Sequence, residues 1–130
     1  MQRRTLLLGS ALALGLGATQ AGAATQSAFD QKTFDAAQAA NKPILIAVHA
    51  DWCPVCTKQK PIMASLAAMP EFKDLIILVI DFDSQKDILK TMGVQKQSTI
   101  IALRGKTERD RSTGVTDEAA IKALFQKTAA

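Results

Sequence analysis

Two short stretches of this chain are apolar at every position: Ile44 to Val48 and Leu75 to Ile80. A strand with one wet face alternates between apolar and polar residues. A strand without that alternation must be covered on both faces, as the central strands of a parallel sheet are when helices flank it. A chain of 130 residues has room for one such domain. Its composition is 48% hydrophobic but only 5% aromatic, with no tyrosine, so the core has to be built mainly from Ile, Leu, Val, Met and Ala.

The segments around these runs have helical period. Ser27 to Asn41 reads as a short lead-in followed by a helix, with Phe34, Ala37 and Ala40 on one face. Asn41 is suited to a left-handed helix end, and Pro43 forbids continuation. From Pro54 to Met69 the pattern Ile62, Leu66, Met69 with Met63 alongside predicts a second helix, kinked at Pro61 and closed by Pro70. Ser84 to Met92 predicts a short helix with Ile88, Leu89 and Met92 inward, ended by Gly93. Thr99 to Leu103 is a third strand, Arg104-Gly105-Lys106 a hairpin turn, and Glu108 to Thr113 a charged edge strand. Thr116 or Asp117 caps a last helix whose inner face is Ile121, Leu124 and Phe125. The order helix, strand, helix, strand, helix, strand, strand, helix makes this an α/β chain. It requires parallel early strands with right-handed crossovers and a late antiparallel hairpin.

Residues 1–23 have the make-up of a cleavable export signal. Arg3 and Arg4 form a charged start, Leu6 to Gly17 is apolar, and Ala21-Gly22-Ala23 supplies small residues for cleavage after Ala23. The apolar run is short and glycine-rich for a membrane span. The start Gln2-Arg3-Arg4-Thr5-Leu6-Leu7 is similar to a twin-arginine signal; a general secretory signal is the alternative. Either route leads to an oxidising compartment, the periplasm of a bacterium. The domain is then 24–130, with no stable membrane insertion once the signal is removed. The formal charge is +4, and without Arg3 and Arg4 there are 14 basic against 12 acidic residues, a net +2. That small and scattered excess offers nothing for nucleic acid.

One constellation carries chemistry: Trp52-Cys53-Pro54-Val55-Cys56, placed after a buried strand and at the start of a helix. Sites in parallel α/β sheets form at the carboxyl ends of strands. The first cysteine meets the free N–H groups and positive dipole end of the helix, which favour a thiolate, the reactive form. Cys53 is thus expected to be an exposed nucleophile and Cys56 a more buried resolving thiol. Pro54 stiffens the first turn, where its missing N–H costs little. Trp52 is expected to shield the sulfurs. A purely structural disulfide would close too small a loop to stabilise much. Structural zinc needs four ligands, whereas the chain offers two cysteines and one histidine. A soft-metal site on Cys53, Cys56 and His49 stays open. His49, four residues before Cys53, is either a cation supporting the Cys53 thiolate or a neutral strand-end histidine. Lys58 and Lys60 read as solvated helix charges.

Over about residues 27–125 the chain resembles the thioredoxin family. The resemblance rests on Trp-Cys-x-x-Cys at 52–56, Pro61 eight residues after Cys53, and Asp81-Phe82-Asp83 after the second strand. Gly93-Val94 before the third long strand and Gly114 before the last helix add to it. It implies a thioredoxin fold, a mixed sheet flanked by helices, and thiol–disulfide exchange without an organic cofactor, through a redox-active Cys53–Cys56 disulfide. Three departures bear on function. The position of the family's buried aspartate is Ala47, and that of its partner lysine is Val79, so both charges are missing together. The family's cis-proline is replaced by Ser98, in the Gln97-Ser98-Thr99 loop expected to face the cysteines. A non-proline cis bond costs about 3 kcal/mol, so Ser98 is expected to be trans, with its hydroxyl either on a sulfur or capping a strand. The Pro54-Val55 dipeptide resembles that of glutaredoxins and some periplasmic oxidants, which implies a more oxidising couple.

The expected function is disulfide exchange with exported proteins and with a redox partner protein, by a monomer. The alternatives are a copper(I) chaperone and a redox-silent interaction module.

Overall fold

The computed structural model describes residues 22–130. The expected export signal lies outside these residues but for its last two.

Five strands form one sheet: β1 (Thr25–Ala28), β2 (Pro43–His49), β3 (Ile76–Asp81), β4 (Thr99–Arg104) and β5 (Thr107–Thr113), in the spatial order β1-β3-β2-β4-β5. β1 and β2 each run parallel to β3; β4 is antiparallel to both β2 and β5. Four helices accompany them: α1 (Gln31–Ala39), α2 (Pro54–Ala67), α3 (Lys86–Thr91) and α4 (Glu118–Lys127), with a short 3-10 turn at Pro70–Phe72.

The two apolar runs are β2 and β3 in the middle of the sheet, and the alternation absent from their sequence is present in their packing. Leu45, Ala47 and Ile77 join Met63 and Leu66 of α2 and Ile121, Leu124 and Phe125 of α4. Ile44, Ile46, Val48, Leu78 and Ile80 join Phe34 and Ala37 of α1 and Leu89 of α3. Each face of the sheet thus has its own core.

One strand was not foreseen. The lead-in before α1 includes β1, whose four residues Thr-Gln-Ser-Ala are all exposed. Only backbone pairing with β3 holds it, so no side-chain pattern marks it in the sequence. The other elements stand where periodicity put them. Asn41 takes a left-handed φ of 52° after α1, Gly93 ends α3 with a φ of 67°, and Asp117 caps α4 by accepting the Ala120 N–H. Gly105, in the β4–β5 turn, has a φ of 57°, and its N–H donates to the Lys42 carbonyl. A Cβ there would come within 2.6 Å of Asn41 Oδ1, so this turn needs glycine twice over.

Phe125 has no exposed surface and meets Phe72 edge-on, with ring centroids 5.2 Å apart. Phe125→Ala should lower unfolding stability by about 3–5 kcal/mol in chemical denaturation. A loss below about 1 kcal/mol would show that α4 does not anchor this face.

Candidate functional site

β2 ends at His49. The chain then passes through Ala50, which is fully buried, and enters α2 at Pro54. Cys53 is the residue that caps α2. Its φ and ψ are −85° and 114°, outside the helical region, and its Sγ accepts the Cys56 backbone N–H at 3.2 Å. The place usually taken by a serine or aspartate oxygen is therefore held by sulfur. Proline at the next position brings no N–H that would go unpaired. Cys56, one turn on, faces inward, with its Sγ 3.8 Å from the Val48 carbonyl. Both cysteines are free thiols.

The two sulfurs differ electrostatically. Burial pushes the Cys53 thiol up, but hydrogen bonds from the Cys56 thiol, the Cys56 and Val55 backbone N–H groups and the Gln97 side chain outweigh it. The net result lies below the ordinary thiol value. Burial pushes Cys56 up to about 11, and its hydrogen bond and charge interaction with Cys53 add to the rise. One environment thereby pushes two neighbouring thiols in opposite directions.

Cys53 is not exposed, as was expected from its place at the helix start: 1% of its surface is accessible, and 2% of that of Cys56. Ala50 forms a cluster with both cysteines, and Val55 and Phe82 pack against it. Trp52 stands outward with 58% of its surface exposed; its indole N–H donates to Asp83 Oδ2 at 2.9 Å and its ring meets Phe82 edge-on. Phe82 thus packs on the cysteine cluster, the part expected of Trp52. Its position follows from β3, because its N–H donates to the His49 carbonyl at 2.9 Å.

Ser98 has a trans peptide, as there is no cis bond among the described residues, and it sits in the left-handed region at φ 61°. A non-glycine residue held there costs about 1–3 kcal/mol, so its neighbours must impose it. They do so through its backbone. The Ser98 N–H donates to the Val48 carbonyl at 2.8 Å, and its carbonyl accepts from the Gly114 N–H at 3.1 Å and Gln59 Nε2 at 3.1 Å. Thr99 is turned away from the cysteines: its hydroxyl donates to the Lys96 carbonyl and pairs with Thr113.

Gln59 was missed by the sequence reading. It is 4% exposed, and Nε2 also donates to the Val115 carbonyl at 2.8 Å. The signal was its spacing, since Cys56, Gln59, Met63 and Leu66 share the buried face of α2. His49 is half-buried, and its Nε2 lies 2.9 Å from Asp51 Oδ1. It does not close a three-ligand set with the cysteines, and among the described residues no three His, Cys, Asp or Glu side chains converge as a metal site would require.

The two thiols should be separable by alkylation. A lowered pKa places the Cys53 thiolate at lower pH than an ordinary thiol, whose midpoint is about 8.5. The rate of modification by iodoacetamide should therefore show a first midpoint below that value, followed by a second step near 11 from Cys56. A single step at the ordinary value would mean that the sulfur cap does not stabilise the anion.

The Thioredoxin family model matches residues 24–127. Thioredoxin H-type of Brassica campestris is 31% identical over 83 residues, which are 64% of this chain and 66% of that protein. Thioredoxin of Chlamydia muridarum is 30% identical over 84 residues, 65% of this chain and 80% of its own length. The crystal structure of Trxlp from Edwardsiella tarda superposes with a TM-score of 0.76 at 37% identity, covering 78% of this chain and 98% of that one. The family match spans the whole described fold and includes the cysteine pair at the head of α2, so the chain belongs to the thioredoxin family.

Proposed function

We propose that this thiol–disulfide oxidoreductase works on exported proteins in the periplasm, with Cys53 as nucleophile and Cys56 as resolving thiol. The observation that carries the reading is the sulfur cap. The same N–H that opens α2 points at Cys53 Sγ, and the two thiols are split in acidity. The Cys53 thiolate attacks a sulfur of a substrate disulfide, one substrate sulfur leaves as thiolate, and a mixed disulfide remains. Cys56 then loses its proton and attacks Cys53 Sγ. The bond between Cys53 and substrate breaks, a Cys53–Cys56 disulfide forms, and two electrons have passed to the substrate. The reverse sequence oxidises a substrate dithiol. No metal or organic cofactor enters either direction.

Export is supported by the make-up of residues 1–23. The Ala24 N–H donates to the Ala67 carbonyl at 2.8 Å, directly after the expected cleavage point. Protein purified from the periplasm of an expressing bacterium should have a mass corresponding to a start at Ala24. Full-length protein retained in the cytoplasm would contradict export.

The proline directly after Cys53 resembles that of glutaredoxins and some periplasmic oxidants, and the lowered Cys53 pKa acts in the same direction by stabilising the reduced form. Equilibration against glutathione should therefore give a potential above the roughly −270 mV of thioredoxin, on the side of the roughly −120 mV of a strong oxidant. Cys53→Ser should abolish exchange. A potential at or below that of thioredoxin would assign the protein a reducing role instead, and exchange surviving in Cys53→Ser would remove the assignment of the nucleophile.

A further inference from the structure

Behind Cys56 lies a cavity of about 250 Å³, walled by Ala47, His49, Cys56, Gln59, Lys60 and Val79. Its origin can be read from the register. β2 and β3 pair Ala47 with Val79 and His49 with Asp81, and these positions point to the α2 side of the sheet, where Cys56 and Gln59 also face. Ala47 and Val79 supply its apolar wall, and His49 follows two residues further along β2 on the same face. A space of this volume with polar groups along it is large enough for several waters.

The reaction needs a proton acceptor at this point. Cys56 must become a thiolate to attack the mixed disulfide, yet it is buried and its thiol faces the Val48 carbonyl at 3.8 Å, which takes up no proton. Two bases stand on the cavity wall, His49 and the Asp51 carboxylate 2.9 Å from it; the Asp51 side chain is fully exposed, whereas that of His49 is only 26% exposed. Gln59 is an amide, and the ammonium of Lys60 has no lone pair to offer.

We propose that His49, positioned by Asp51, takes the proton of the Cys56 thiol through water in this cavity. The inference rests on the exchange reaction proposed above. In the step, the Cys56 S–H proton passes along water to the imidazole, Cys56 Sγ bonds to Cys53 Sγ, and the substrate sulfur leaves with the electron pair. The imidazolium then gives its proton to solvent, which reaches the His49 side chain at 26% exposure. Three charged groups stand around His49. Asp51 lies 2.9 Å away on the same segment and Asp81 beside it on β3, while Lys60 on α2 is the one opposing cation on the cavity wall. His49 is a positioning and relay residue here, since it acts through water rather than on the sulfur itself.

Ellman's reagent separates the two steps. Mixed at one equivalent with the reduced mature protein, it releases a first thionitrobenzoate when Cys53 attacks and a second when Cys56 resolves the adduct. Wild-type protein that shows no second release fails the exchange reading itself, independently of His49. Given two phases, the second should rise between pH 5 and 8, the window in which histidine changes charge. In His49→Gln the second phase should slow about 10-fold or more and lose that rise, while the first phase is unchanged. Asp51 is fully exposed, so Asp51→Asn keeps the fold in place; by removing the carboxylate that positions the imidazole it should slow the second phase and leave the first unchanged. An unchanged second phase in His49→Gln overturns the relay. Equal slowing of both phases also overturns it, because His49 would then act on the Cys53 thiolate. An unchanged second phase in Asp51→Asn overturns the positioning by Asp51.

Discussion

The N–H of Cys56 aimed at Cys53 Sγ depends on almost everything else in the molecule. It exists because α2 begins at that residue, and α2 begins there because β2 ends just before it. β2 can end there only as the central strand of the sheet, paired on both sides and covered on both faces. Two layers of aliphatic packing thus hold one sulfur within reach of one amide. The acidity of Cys53 is a result of that placement, as is the contrasting acidity of Cys56 one turn deeper.

Loss of the family's two buried charges is consistent with the same packing. An aspartate at Ala47 would need a cation at Val79, its register partner on β3, because a lone buried carboxylate is costly. With both positions apolar no such pair is needed, and the first charged or titratable groups along these strands are His49 and Asp81, side by side at the strand ends. Ser98 is the opposite case. A residue in an unfavourable backbone region is held by Val48, Gln59 and Gly114. Because its N–H and carbonyl are both engaged inside the fold, a peptide lying across the site has to find its backbone partners elsewhere in the loop.

Much of this was legible in the sequence, and the rest was not for identifiable reasons. β2 and β3 announced themselves by lacking alternation, α2 and α4 by their period, and the Cys-x-x-Cys site by falling between strand and helix. β1 was invisible because a strand held only by its backbone leaves no pattern in its side chains. The burial of Cys53 was also hidden. The helix-start rule gives direction and charge, whereas cover comes from Phe82 and Val55, one of them brought in by another strand. Gln59 was overlooked because a polar residue on an apolar face looks like a break in the pattern until its two carbonyl partners, from distant loops, are seen.

The cover over Cys53 has a consequence for resistance to oxidation. A thiolate is the form most readily driven through sulfenic to irreversible sulfinic acid, and susceptibility follows both anionic character and access. Hydrogen bonding draws Cys53 toward the first, while its burial withholds the second, with 1% of its surface accessible and Phe82 and Val55 packed against it. The sulfur made more acidic is thus also the one kept from water.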